Sequence, residues 1–90
     1  MSEAASGAAT QIFSHRFDQR LLALPAEIQE RVQDRIDELG RRLRGFPHFR
    51  MQGGDTYRLR VGDYRIIYQF DISRNELWLI ALGHRRDIYK

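Results

Sequence analysis

Between Tyr57 and Tyr68 the chain reads Tyr-Arg-Leu-Arg-Val-Gly-Asp-Tyr-Arg-Ile-Ile-Tyr. Apolar residues alternate with arginines on both sides of a Gly-Asp pair, and alternation with period two marks a half-buried strand. Two such runs split by Gly-Asp predict a β-hairpin, because glycine supplies the positive φ that a tight primed turn needs. With Gly62 and Asp63 as the turn, Val61 pairs with Tyr64, Leu59 with Ile66 and Tyr57 with Tyr68, which makes one apolar face. Arg60 then stands opposite Arg65, and Arg58 opposite Ile67, on the other face. Like charges directly across a ladder repel. A hairpin that sets Arg60 against Arg65, with Arg58 beside them, is suited to holding an anion.

The remaining chain limits what can surround this hairpin. Ninety residues suffice for one domain with one modest core and are too few for two. There is no cysteine, which excludes disulfides and thiolate metal sites. His15, His48 and His84 are scattered, with no pair at a metal-ligand spacing. No apolar run approaches the roughly 20 residues of a membrane span. Residues 1–9 are small and polar and lack the basic start and apolar core of a signal peptide, so a cytoplasmic protein is expected. Neither metal nor cofactor is called for.

Charge is unevenly placed. The formal net charge is +3, and residues 57–90 hold all of the excess. Every basic residue except Lys90 is arginine. Arginine forks around phosphate and stacks on bases better than lysine does. A GC-rich genome's codon preference would explain arginines on helix surfaces. It would not explain three of them on one face of a hairpin.

Taken in order, residues 1–9 read as a flexible tail and residues 10–90 as one domain. Thr10–Ser14, with Ile12 and Phe13, is a short first strand. Phe17, Leu21 and Leu24 give an amphipathic helix over His15–Leu24. Ile28, Val32, Ile36, Leu39 and Leu43 give a second over Pro25–Arg44, with Pro25 at its first position. Glu27 and Glu30 near the start and Arg41, Arg42 and Arg44 near the end complement the helix dipole. Glu27–Arg31, Asp37–Arg41 and Glu38–Arg42 are spaced as i, i+4 ion pairs. Gly45 caps this helix and Phe46-Pro47 stops it. Phe46–Thr56 is a connection to the hairpin, and Asp71–Glu76 a polar turn after it. The apolar run Leu77–Leu82 is expected to be a central strand covered on both faces. The order is β-α-α-β-β-β, an α+β class with a two-helix hairpin packed on a mainly antiparallel four-stranded sheet.

Three features could carry chemistry. The arginine face of Arg58, Arg60 and Arg65 could instead be a solvated strand face. Gly83-His84-Arg85-Arg86 follows the last strand and could be a polar strand end. Tyr89 alone is more often a packed aromatic. Converging on one sheet surface, these groups would bind a nucleic acid backbone through its phosphates. Tyrosine or arginine could also stack on an unpaired base. Metal-free RNA cleavage by the ribose 2′-OH needs a base, positive charge on the phosphorane oxygens and an acid for the 5′-oxygen. The arginines fit the charge role. Tyr89, its phenol pKa lowered from about 10 by guanidiniums, or His84, with a more suitable intrinsic pKa, fits proton transfer.

The hairpin together with the ending Gly83-His-Arg-Arg-Asp-Ile-Tyr89 resembles the RelE/ParE superfamily of type II toxins, on its RelE side. The resemblance runs from about Thr10 to Lys90 and includes the Leu-Pro junction between the helices. It implies a ribosome-dependent mRNA endonuclease that enters the A site and cuts by the 2′-OH route, held inactive by a cognate antitoxin whose partly disordered chain folds over it. By the same resemblance, Arg65 and Arg85 stabilise the transition state and Arg58 and Arg60 orient phosphate and ribose. Arg86 adds RNA-binding charge, and Tyr89 stacks on or activates the substrate. Some members carry lysine where this chain has Arg58 and Arg60. Arginine does not give up its proton, so proton transfer falls to Tyr89, His84 or the ribosome. Two other functions compete: the gyrase poison of the ParE branch, and a non-catalytic basic binding module.

Overall fold

A computed structural model describes residues 7–84. Its elements are β1 (Thr10–Phe13), α1 (His15–Leu22), α2 (Ala26–Arg41), β2 (Phe49–Arg50), β3 (Tyr57–Val61), β4 (Tyr64–Asp71) and β5 (Glu76–His84). One sheet runs in the order β1-β5-β4-β3-β2. The β1–β5 pair is parallel and the other pairs are antiparallel. The α+β class is as expected, with five strands rather than four. The extra strand is β2, in the segment read as a connection. Two residues are too few to show any alternation, so no pattern could reveal it.

Both helices stop short of the expected ends: α1 closes at Ala23 rather than Leu24, and α2 at Arg42 rather than at Gly45. Ser14 caps α1: its Oγ accepts from Phe17 N–H at 3.0 Å and donates to the Ile80 carbonyl at 2.7 Å, which also ties the helix to β5. Pro25 is the cap of α2 and not its first residue, and Arg42 closes that helix. The Glu38–Arg42 pair forms at 3.0 Å. Asp37 does something else: its carboxylate accepts from Gln11 at 2.8 Å and Gln33 at 2.9 Å, joining β1 to α2.

Both helices send their apolar stripes to one face of the sheet. Phe17, Val32, Ile36 and Leu39 are fully buried there against Ile66, Tyr68, Leu77 and Leu79. Burying a side chain of this size contributes roughly 1.5–3 kcal/mol. The chain is also held before β1. Ala9 is buried and its N–H bonds the Gly40 carbonyl at 3.0 Å, so the expected tail over residues 1–9 is too long at its inner end.

The expectation for β5 needs a correction. The strand is central, but only one of its faces is closed, since Trp78 is 42% exposed. The register slips between Ile67 and Tyr68, so Ile67 faces Ala81 and Tyr68 faces Leu79. That bulge lets Leu79 and Leu82 both reach the core, although three positions separate them. A continuous apolar run hides such a slip.

The β3–β4 register matches the expected pairing at every position, from Tyr57↔Tyr68 to Val61↔Tyr64. Gly62 has φ +60° and Asp63 is not in the positive-φ region, which is the II′ form of the two-residue turn.

Candidate nucleic-acid interface

The apolar half of the hairpin is committed to the core, and alternation decides the rest. With Leu59 and Val61 buried beneath the helices, Arg58 and Arg60 must emerge on the opposite, helix-free face. Arg65 is the cross-strand partner of Arg60 and joins them there. On its other side Arg65 pairs with Gly83, which has no side chain to crowd it. Position in the sheet then sets exposure. Arg58 and Arg60 lie near the edge and are exposed. Arg65, on the inner strand β4, is half-buried, and its Nε and Nη1 atoms are shielded from solvent. Charge in so sheltered a position acts through less water and is worth more to a bound anion.

These three arginines line a cleft of about 290 Å³ with Arg35 of α2, Phe46, Pro47, Phe49 and Leu59. Among the described residues the lining holds four arginines and no carboxylate. Arg35 is itself engaged, donating to Glu38 Oε1 at 2.6 Å. Arg42 donates to the other oxygen of the same carboxylate at 3.0 Å, so two guanidiniums share one acid. Both also lie over the Phe46 ring, at 5.7 and 5.4 Å from its centre. The cleft can therefore take up an anion along its length, and its aromatic walls suit a planar ring.

His84 departs from the expected cluster. It pairs with Tyr64, and their rings meet edge to face at 5.6 Å. Tyr64 belongs to the face of Val61 and Ile66, so His84 is on the opposite side of the sheet from Arg58, Arg60 and Arg65. The reason is parity: Gly83 occupies the position across from Arg65, and its neighbour must point the other way. Arg85, Arg86 and Tyr89 lie outside the described residues. No group of three or more His, Asp or Glu that could hold a metal occurs among the described residues.

Arg35, Phe46, Phe49 and His48 carry no functional pattern in the sequence. His48 turns out to anchor the wall of the cleft. Its Nε2 is 2.8 Å from the Leu43 carbonyl, which can only accept, so Nε2 carries the proton. Nδ1 is then the acceptor for the Tyr68 hydroxyl at 2.6 Å. The ring stacks on Phe70 at 4.1 Å. Burial, and secondarily Tyr57, pushes the Tyr68 phenol well above its ordinary range, so it stays a donor to His48. The one available sequence signal was a histidine between two phenylalanines beside a proline.

Comparison with known proteins places this geometry. Residues 12–89 match the sequence model of the ParE toxin of the type II toxin–antitoxin system parDE. The chain belongs to the RelE/ParE superfamily of type II toxins. Its fold is also similar to that of a chain in the RelBE2 toxin–antitoxin complex from Mycobacterium tuberculosis, with 25% identity and a TM-score of 0.75 over 89% of this chain and 94% of that one. The intact E. coli RelBE complex gives 22% and 0.72 over 86% and 96%. The archaeal RelE–RelB complex from Pyrococcus horikoshii gives 22% and 0.72 over 89% and 98%. No curated protein matches. The sequence model thus comes from the ParE branch of the superfamily and the solved structures from the RelE branch. No helix among the described residues of this toxin is long and apolar enough to cross a membrane.

Proposed function

We propose that this toxin is a ribosome-dependent mRNA endonuclease of the RelE kind, acting in the cytoplasm. The observation that carries the reading is the cleft in which Arg58, Arg60 and Arg65 meet with no carboxylate among its described lining residues. Cleavage proceeds by attack of a ribose 2′-OH on the adjacent phosphorus. The new 2′-O–P bond forms as the bond to the 5′-oxygen breaks, leaving a 2′,3′-cyclic phosphate and a 5′-OH. Charge builds on the non-bridging oxygens, and fixed guanidiniums aimed at them supply the stabilisation. Arg65, sheltered and fixed between β3 and β5, takes this role with Arg85. Arg58 and Arg60 orient phosphate and ribose, and Arg86 adds RNA-binding charge. Arginine cannot move a proton at neutral pH. With His84 on the other face, Tyr89 is the residue assigned to proton transfer, together with groups of the ribosome. The comparison structures are complexes of toxin with RelB, and a cognate antitoxin is the corresponding partner here.

Primer extension on mRNA in a translating extract tests this. The toxin should leave codon-phased stops, and intact mRNA in an actively translating extract would refute the nuclease.

The match to the ParE sequence model favours a second reading, a gyrase poison on the same fold. A supercoiling assay separates the two. Gyrase inhibition with uncut mRNA selects the ParE activity; cut mRNA with normal supercoiling selects the RelE one.

A further inference from the structure

We infer that Phe49 is a stacking platform for one unpaired base of the RNA strand whose phosphates lie on Arg58, Arg60 and Arg65; the inference rests on the RNA-binding part of the function proposed above. Phe49 is 62% exposed, although it is a large apolar side chain. A single exposed apolar residue is ordinary. The surroundings of this one are not. Phe49 is the cross-strand partner of Arg58, so both side chains rise from the same face of the sheet. It lines the same cleft as Arg35, Arg60 and Arg65.

The backbone that carries Phe49 is pinned on both sides. His48, immediately before it, has both ring nitrogens bonded, to Leu43 and Tyr68. After it, Met51 N–H donates to the Thr56 carbonyl at 2.8 Å and Arg50 Nε to the Gly54 carbonyl at 3.1 Å. An aromatic ring held out on a fixed backbone gives up little conformational freedom when a flat partner settles on it.

A fourth arginine lines the same cleft: Arg35, which shares the Glu38 carboxylate with Arg42, so that two guanidiniums meet one acid. Phosphate-binding charge lining the same cleft as an exposed aromatic is the arrangement that grips single-stranded nucleic acid, with backbone on the cations and base on the ring. A paired base is covered on both faces by its neighbours and could not use it. The chemistry therefore selects an unpaired nucleotide, and prefers purines for their larger stacking surface.

The test uses the full chain and two labelled probes, short 2′-O-methyl oligoadenylate and oligouridylate, which lack the attacking hydroxyl and survive intact. Binding is followed by fluorescence anisotropy for the wild type, Phe49→Ala and Phe49→Trp. The expected result is weaker binding of oligoadenylate by Phe49→Ala, roughly five- to a hundredfold, with Phe49→Trp equal to the wild type or tighter. The preference for adenine over uracil should collapse in Phe49→Ala, which a loss of folding alone would not produce selectively. Thermal unfolding should be almost unchanged, because the side chain is exposed. Equal affinities of Phe49→Ala and wild type for both probes would overturn the inference. So would a Phe49→Ala variant that keeps RNA affinity and loses antitoxin, which would give this ring to a protein partner. A wild type that binds neither probe also overturns it. If the wild type cuts mRNA in the extract and Phe49→Ala cuts equally well, the platform fails and the nuclease stands. If it binds the probes through Phe49 and cuts nothing, the nuclease fails and the platform stands.

Discussion

Arg65 and Arg58 share a face but not an environment, and their substitutions should separate. Arg65 is half-buried and Arg58 is exposed. Removing a fixed donor that meets developing charge costs about 10²–10³ in rate, so Arg65→Ala should lower single-turnover cleavage by about that factor. Arg58→Ala should act mainly on binding and cost about tenfold or less. Circular dichroism and thermal unfolding of both variants check that the fold survives; an equal loss of structure would make Arg65 a packing residue. His48 predicts the reverse pattern. His48→Ala leaves the buried Tyr68 hydroxyl without its acceptor, at about 1–3 kcal/mol, and should lower urea resistance by that amount. Residues such as His48 show where sequence reading runs out. Its partners Tyr68 and Leu43 are brought to it only by the fold, and nothing around His48 in the chain announces them. Arg60 and Arg65 were legible because a two-residue turn fixes their pairing locally. His84 misled because adjacency to a strand end says nothing about which face a side chain takes.

At the scale of elements, what was legible followed from periodicity with fixed end points. The hairpin register is pinned by Gly62, whose φ of +60° an L side chain adopts with strain. Gly62→Ala meets no neighbouring atom and should still cost about 1–2 kcal/mol from backbone strain alone. For a domain of this size that lowers Tm by roughly 4–16 °C, readable by calorimetry. Two apolar stripes gave the helices, whereas the two-residue β2 and the bulge in β5 have no periodic trace. On α2, the hydrogen bond from Arg35, then its charge and the contacts of Arg42, hold the Glu38 carboxyl below its ordinary range despite an opposing effect of burial. A carboxyl depressed in the folded state stabilises above its unfolded pKa of about 4.5 and loses that contribution as pH falls through the folded value. The Tm difference between wild type and Glu38→Gln should therefore be constant near neutrality and shrink below about pH 4.5. A difference that grows on acidification would reverse the assignment.

For the molecule as a whole, the distribution of charge matters more than its total. The net charge is +3 with a sequence pI of about 9.8. Residues 57–90 carry that excess, and in the fold the arginines of the hairpin gather on the helix-free side of the sheet. Net charge alone would give weak, diffuse attraction to any polyanion. A cleft that seats several phosphates at once releases a countable number of ions. For single strands, log affinity falls with log salt with a slope of about −0.7 per phosphate contact. Contacts from Arg58, Arg60, Arg65 and Arg35 would give a slope near −3 for short single-stranded RNA, about four times that unit. Arg58→Ala should lower affinity and flatten the slope by about 0.7. Phe49→Ala should lower affinity and leave the slope unchanged, because stacking releases no counterions. Titrations of wild type and both variants at several salt concentrations separate the two contributions in one data set. A slope near zero in the wild type would mean that the arginines meet no phosphate. The protein-directed activity of the ParE branch would then be the better account of the same fold.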